Sequence, residues 1–460
     1  MKKVIRGGTV VSGSGSFSAD VLIDGEKIIA IGNKQTINAL IDDTTQIIDA
    51  SGKLLFPGFI DAHTHLDLHV AGTVTADNFD TGTKAAIKGG TTTIIDFGTQ
   101  YQGETLAQGL ANWHKKADNN CSCDYSFHMS ISEWNKHISK EIQDIMDEGI
   151  TSFKLYMTYD IMVNDKTIYE ILQRLKEVGG ITGVHCENDG IIAALKEQAL
   201  KSSPKDVSNH YKTRPDDAEA EAVNRLLAIA NVVDIPVIVV HLTCKKAYDV
   251  IMQARAHGQK VYAETCPQYL LLDSTKYNLS YDEAKKFVCA PPLRTKMDQE
   301  CLWQALTKED IQTVSTDHCS FTTKQKDLGK NDFTKIPGGV PGIENRGLLI
   351  YSFGVHDRRI SKETMCKVLS ENPAKLYGLY PRKGIIAPGS DADIVILDPN
   401  ASQTITAKNL AQNVDYTPYE GMHIFGKIDL VLLRGHAVVK CNKLLQEKIG
   451  KFIKRKKYNL

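Results

Sequence analysis

Six side chains scattered through the middle of the chain have the types and the placement of one dinuclear metal site: His63, His65, Lys154, His185, His241 and Asp317. Each stands at or near the end of a short apolar run. Leu54-Leu55-Phe56-Pro57-Gly58-Phe59-Ile60 leads to His63-Thr64-His65, Ile181-Thr182-Gly183-Val184 to His185, Ile235-Pro236-Val237-Ile238-Val239-Val240 to His241, and Val314-Ser315-Thr316 to Asp317. Lys154 lies within Gly149-Ile150-Thr151-Ser152-Phe153-Lys154-Leu155-Tyr156. Side chains alternate along a strand, so His63 and His65 face the same way. Imidazole suits zinc, nickel, cobalt or iron, and aspartate adds a hard oxygen.

Lys154 is the unusual member, because an ammonium cannot bind a cation. A neutral lysine amine, however, reacts with carbon dioxide to give a carbamate whose two oxygens can bridge two ions. Neutralising a lysine of ordinary pKa at pH 7 costs about 4–5 kcal/mol. Burial and two nearby divalent ions both lower that cost. The competing reading is a barrel-lining lysine paired with a carboxylate. Asp317 likewise has two readings, a helix cap or a metal-linked carboxylate that shuttles a proton. Two ions sharing a hydroxide would make a nucleophile at neutral pH, and one ion would polarise a carbonyl. That chemistry is hydrolysis of an amide or ester.

Such a constellation needs a scaffold that brings distant strand ends together. Residues 53–383 alternate strand and helix. Eight strand candidates fall around residues 55–62, 91–97, 125–131, 150–156, 181–185, 236–241, 260–264 and 311–316. Helical stretches such as Asp217–Ala230 lie between them. This alternation predicts a parallel sheet with crossover helices, and eight repeats predict closure into an α/β (β/α)8 TIM-like barrel with its active site at the C-terminal rim. An open doubly wound sheet fits less well, because no glycine-rich nucleotide turn follows the first strand. Residues 1–52 and 384–440 read as short strands, with a hairpin signal at Asp24-Gly25. They predict one small β-sandwich domain built by both chain ends. Residues 441–460 form a basic C-terminal arm.

Composition narrows the function class. Lysine plus arginine and aspartate plus glutamate are equal at 55 each, so no global charge attracts nucleic acid. No apolar run approaches membrane-spanning length. The segment from Met1 to Gly8 lacks the apolar stretch of a signal peptide. The 10 cysteines show no disulfide-like spacing, Cys121-Ser122-Cys123 being a lone close pair, which predicts reduced thiols and a cytoplasmic location.

Several longer stretches occur together: Pro57-Gly58-Phe59-Ile60-Asp61-Ala62-His63-Thr64-His65-Leu66-Asp67, Gly72-Thr73-Val74-Thr75-Ala76-Asp77-Asn78-Phe79, Phe153-Lys154-Leu155-Tyr156-Met157-Thr158-Tyr159, His185-Cys186-Glu187-Asn188, Ala263-Glu264-Thr265-Cys266-Pro267-Gln268-Tyr269-Leu270 and Thr316-Asp317-His318-Cys319-Ser320-Phe321. On them, and over nearly its whole length, the chain resembles the dihydropyrimidinase/hydantoinase family of cyclic amidohydrolases. It differs from dihydroorotases and allantoinases around Lys154 and residues 263–270. Another cyclic-ureide hydrolase is the near alternative. A non-catalytic scaffold of the same fold is the distant one, and such relatives lack most of the six polar residues.

The resemblance implies two zinc-type ions. His63 and His65 would hold the first with Asp317, His185 and His241 the second, and Lys154, as N6-carboxylysine, would bridge them. Tyr159 would donate to the developing oxyanion, and Asp317 would move a proton from water to the leaving ring nitrogen. Backbone groups at Ala290 and Gly338 would grip the substrate, a small cyclic imide or ureide. Many relatives carry serine and asparagine at those two positions. Leu66, Val70, Tyr156 and Val163 would line the pocket for the ring substituent. The reaction implied is opening of dihydropyrimidines or 5-substituted hydantoins to N-carbamoyl amino acids. The resemblance also implies a homotetramer, with the basic tail as an arm to a neighbouring subunit.

Overall fold

The computed structural model describes residues 2–458. Eight strands follow one another as neighbours in one sheet: β1 (Phe59–Thr64), β2 (Thr91–Thr99), β3 (Asp124–Ser130), β4 (Ser152–Tyr156), β5 (Ile181–His185), β6 (Val237–Val239), β7 (Val261–Thr265) and β8 (Thr313–Val314). All consecutive pairs are parallel. Helices such as Leu106–Ala117, Asp165–Val178 and Asp216–Val233 cross between them and bury one apolar face each. Asn164 caps the second of these by accepting from Thr167 N, and Gly179 ends it in the left-handed region.

The barrel closes at β8 and β1 largely through side chains. Thr64 bridges to His318, and His65 N donates to His318 O at 2.9 Å. Below that bridge Arg346, with no exposed surface, donates to Ile60 O at 2.8 Å and to Val314 O at 2.9 Å. Thr316 donates from N and Oγ1 to the Asp61 carboxylate, at 3.1 and 2.7 Å. The short β8 strand therefore leaves backbone carbonyls that a guanidinium satisfies and a backbone N–H that a carboxylate satisfies.

The strand candidate at 55–62 is two strands. Leu54–Pro57 pairs with Lys2–Ser12 and with Ile394–Thr404 in the terminal sheet, whereas β1 starts at Phe59. The break falls at Gly58, where a Cβ would come within 2.1 Å of Thr92 Oγ1. Only glycine lets the chain pass between the two sheets there. The terminal strands form one mixed nine-stranded sheet. Its edge strand Lys27–Gly32 returns to the segment that enters Ile394–Thr404: Ile28 N donates to Ser390 O and Ala392 N to Glu26 O. The sheet so wraps a core of its own that includes Ile5, Val21, Ile394 and Leu432. Buried Lys383 binds Asp124 of β3 at 2.7 Å and Asp393 at 2.6 Å, fastening this domain to the barrel, and Arg434, Lys27 and Arg382 share with it the charge of a cluster of three aspartates.

The tail departs from expectation. It lies on its own barrel instead of reaching out as an arm. Tyr125 N donates to Lys451 O, Ile453 N to Tyr125 O and Arg455 N to Gly149 O. Ile453 packs among Ile60, Ile95, Ile181 and Ile238 at the barrel floor. The buried Arg455 guanidinium donates to Ser126, Ser152 and the carbonyls of Tyr377 and Phe127. A basic residue is buried here because the floor offers it carbonyl and hydroxyl acceptors. Among the described residues no helix is long and apolar enough to cross a membrane, and all ten cysteines are free thiols.

Replacing Arg455 with Met should lower the stability of the barrel by about 2–4 kcal/mol, because several buried acceptors lose their donor at once. Urea unfolding followed by circular dichroism reads this. An unchanged midpoint would mean that the tail is not docked on the barrel.

Candidate metal centre

All six polar residues singled out in the sequence converge at the C-terminal mouth of the barrel. Nε2 of His63 and Nε2 of His65 each lie 3.0 Å from the same oxygen, Oδ1 of Asp317. The three ligand atoms of this group fall within 4.8 Å of one another. His241 follows with its ring centre 5.4 Å from His63 and 4.5 Å from His185. Asp317 caps no helix; its carboxylate faces the imidazoles.

Lys154 completes the set. It is 1% exposed, on β4, and pairs in register with Gly183 of β5. A Cβ at Gly183 would meet Val240 Cγ1 at 2.8 Å, so this layer of the barrel is already full. The Lys154 amine lies 4.8 Å from the Phe97 ring centre and 5.2 Å from that of Tyr156. No carboxylate stands within salt-bridge distance of it among the described residues, so the paired-lysine reading is not realised. Its charge disfavours protonation of all four imidazoles.

The protonation states suit cation binding. Burial pulls Lys154 down to about 8, against partial opposition from Asp317 and Glu264. Burial also holds His65 at about 4 and lowers His185 and His241, so these rings are neutral and carry a free lone pair. His63 differs: burial and Lys154 push it down, but Asp317 and Glu264 outweigh them. Burial raises the Asp317 carboxyl, yet His63 and His65 overcome that and keep it ionised. Nδ1 of His65 is buried without a hydrogen-bond partner, and Nε2 of His63 has only the Asp317 carboxylate beside it, at 3.0 Å. Buried orphan nitrogens are rare in proteins. Here both rings sit beside a carboxylate, in a donor set that fits divalent ions of the zinc type.

Outer side chains orient this set. Nδ1 of His63 is 2.6 Å from Glu264 Oε1, and Ser315 donates to the other oxygen of Glu264 at 2.7 Å. Nε2 of His185 is 2.7 Å from Glu187, which also pairs with Arg214. Burial opposes the Glu187 charge, but Arg214 and His185 more than offset it and hold the carboxyl well below the usual range. Asp96 accepts from Thr64 Oγ1, Leu66 N and Trp113 Nε1, which fixes the His63–His65 segment. The sequence reading assigned no role to Glu264, Glu187, Arg214 or Asp96. A carboxylate inside the otherwise apolar run Val261–Thr265 was the available signal for Glu264. For Glu187 it was the two-residue spacing from His185.

Three site residues hold left-handed backbone: His241 at φ 40°, Asp317 at 52° and Tyr159 at 75°. Each such non-glycine residue costs about 1–3 kcal/mol, and such strain clusters where side chains are aimed for function. The Tyr159 ring is 5.1 Å from His185, with Arg214 5.4 Å from its centre. Burial of the hydroxyl raises its pKa, against the pull of Arg214, so it stays protonated and able to donate. Tyr159 is nevertheless 37% exposed, so its ring borders the open mouth.

Ala290 and Gly338 lie side by side, a Cβ on Gly338 being 3.8 Å from that of Ala290. The Tyr156 ring lies 6.3 Å from that of Tyr159 at the mouth, and Val163 N donates to Tyr156 O, the Val163 side chain being buried in the core. Val70 sits exposed on the His69–Val70 and Thr73–Val74 hairpin. Leu66 corrects the expectation. It has no exposed surface and packs against Gly82 of the helix Phe79–Lys88, where a Cβ would come within 2.4 Å of it. It is core and offers no pocket wall.

Comparison with known proteins agrees with this geometry. The model of the amidohydrolase family matches residues 54–438. The D-hydantoinase of Streptomyces coelicolor is 44% identical over 441 residues, 95% of this chain and 94% of that one. The D-hydantoinase of Geobacillus stearothermophilus is 42% identical over 100% of this chain and 97% of its own. The crystal structure of dihydropyrimidinase from Brevibacillus agri superposes with a TM-score of 0.97 at 45% identity, covering 100% of both chains. With a family match across most of its length and relatives of this similarity, the chain belongs to the amidohydrolase family, within its hydantoinase and dihydropyrimidinase group.

Proposed function

We propose that this protein opens the ring of dihydropyrimidines or 5-substituted hydantoins by hydrolysing the cyclic amide, giving N-carbamoyl amino acids. The observation that carries the reading is Lys154: a buried amine with no carboxylate partner, set among four imidazoles and Asp317. At a pKa of about 8 the neutral amine costs only about 1–2 kcal/mol at pH 7, where an ordinary lysine costs about 4–5. Carboxylation of that amine turns an unpaired cation into a bridging anion.

In this reading His63, His65 and Asp317 would hold one divalent ion and His185 and His241 the other, with carboxylated Lys154 as a shared ligand. Zinc is the ion that the imidazole-rich set favours. When bound, the ions supply Lewis-acid polarisation of the scissile carbonyl and a water made nucleophilic at neutral pH. Asp317 accepts the proton of the attacking water, whose oxygen bonds to the carbonyl carbon. Tyr159 donates its hydroxyl to the oxygen on which charge develops. As the ring C–N bond breaks, Asp317 returns the proton to the leaving nitrogen. The backbone at Ala290 and Gly338 holds the imide edge, a role that needs no side chain and tolerates both residue types. Tyr156 and Val70 border the space for the ring substituent. The reading includes a homotetramer; the ten unpaired thiols fit a reducing cytoplasm.

Lys154→Ala should lose metal and turnover together, measured by elemental analysis beside ring-opening absorbance with hydantoin, phenylhydantoin, dihydrouracil and allantoin. Full activity in that variant would refute the mechanism. Glu264→Ala should weaken metal binding about 10- to 100-fold, because His63 loses the partner that sets its tautomer. Competition with a chromophoric chelator measures that, and unchanged affinity would remove Glu264 from the site. Tyr159→Phe should keep its metal and lower kcat about 10²- to 10³-fold. A kcat near that of the unaltered enzyme would show that the hydroxyl does not stabilise the transition state.

A further inference from the structure

Lys326 belongs to none of the sets described so far. It has no exposed surface, yet it sits on the four-residue helix Thr323–Lys326, beyond the end of β8. Its ammonium donates to three backbone carbonyls: Val288 O at 2.8 Å, Pro337 O at 2.6 Å and Gly339 O at 2.7 Å. An ammonium has three protons, and all three are used. The acceptors come from two separate loops. One runs through Val288 to Ala290, the other through Pro337 to Gly339. Gly339 N also donates to Val288 O at 3.0 Å, so the two loops touch directly as well.

The neighbouring side chain acts on the other side of the mouth. Gln325 Nε2 donates to Thr73 Oγ1 at 2.9 Å and to Val74 O at 2.7 Å, holding the hairpin that carries Val70. The segment itself is fixed by a capping box between Thr322 and Gln325. Burying an ammonium is unfavourable unless every proton finds an acceptor. A junction held only for stability is met more cheaply by apolar packing. Burial pulls this amine down to about 7, while three carbonyls at 2.6–2.8 Å favour its protonated form; the group sets the distance between two backbone segments, with the direction of each carbonyl fixed.

We infer that Lys326 is a positioning residue for substrate: it fixes the separation of the backbones at Ala290 and Gly338 and so tunes their hold on the imide edge of the ring. The inference rests on the proposed hydrolysis of cyclic imides. Lys326 touches neither the ring nor the metal ligands. Its loss should therefore leave the metal centre intact and loosen recognition of the imide.

The test uses the metal-loaded enzyme with Lys326→Met, which removes all three donors, and Lys326→Gln, which keeps two. Both should retain full metal content. For hydantoin, KM should rise about 10- to 100-fold in Lys326→Met, the size of effect expected from a misplacement near 1 Å, and less in Lys326→Gln. The preference for hydantoin over its N3-methyl derivative, which masks the imide N–H, should fall by a similar factor. Unchanged KM and unchanged preference, with lowered thermal stability alone, would overturn the inference. If Lys326→Met does not fold, Lys326→Gln supplies the same comparison. If the unaltered enzyme opens no cyclic imide, the proposed function fails by itself. Amide hydrogen exchange at residues 288–290 and 337–340 then decides whether Lys326 orders the two loops: faster exchange in the variants supports it, and unchanged exchange overturns it.

Discussion

A lysine amine in a barrel interior, without a carboxylate to pair with, is an expensive arrangement. Lys154 is 1% exposed and faces two aromatic rings and four imidazoles. Left as an ammonium, it repels any cation and adds to the burial that already keeps His185 and His241 from taking a proton. The surroundings do not relieve that cost by supplying an anion. They lower it by favouring the neutral amine, the form that takes up carbon dioxide. The rest of the site follows from this one constraint, since imidazoles, three of them held neutral, one ionised aspartate and a potential carbamate are the donors that two divalent ions require.

Holding those donors close together is the work of the barrel. The ligand atoms of His63, His65 and Asp317 stand near enough to repel or pair among themselves, and three residues of the mouth have left-handed backbone. Such a cluster persists only where its supports are rigid. Glu264 fixes His63 from β7, the Glu187–Arg214 pair fixes His185, and Asp96 fixes the turn after β1. At the seam of β8 and β1, Arg346 and Asp61 take the place of a backbone ladder. Asp317 leaves β8 just beyond that seam, so the closure of the fold and the placement of its key carboxylate are one structural problem.

The six polar residues were legible in the sequence because five mark the ends of apolar runs and Lys154 interrupts one, and a barrel gathers strand ends at one rim. The alternation of His63 and His65 is likewise a local pattern. What escaped was contact between distant segments. His63 and Glu264 are 201 residues apart, and no periodicity reports their pairing. The split at Gly58 escaped because an apolar run through two consecutive strands looks like one strand. Leu66 read as apolar, which is right, but apolarity does not say whether a side chain faces a pocket or the core. The basic tail suggested a neighbouring chain, whereas Arg455 is buried because carbonyls at the barrel floor await it.

The central claim is the chemical form of Lys154. Anomalous diffraction from crystals of the metal-loaded enzyme, prepared with bicarbonate present, tests it most directly. The account predicts two anomalous peaks spanned by a carboxylated Nζ at Lys154, one beside His63, His65 and Asp317 and the other beside His185 and His241. An unmodified ammonium at Lys154, with one metal peak or none, would contradict it.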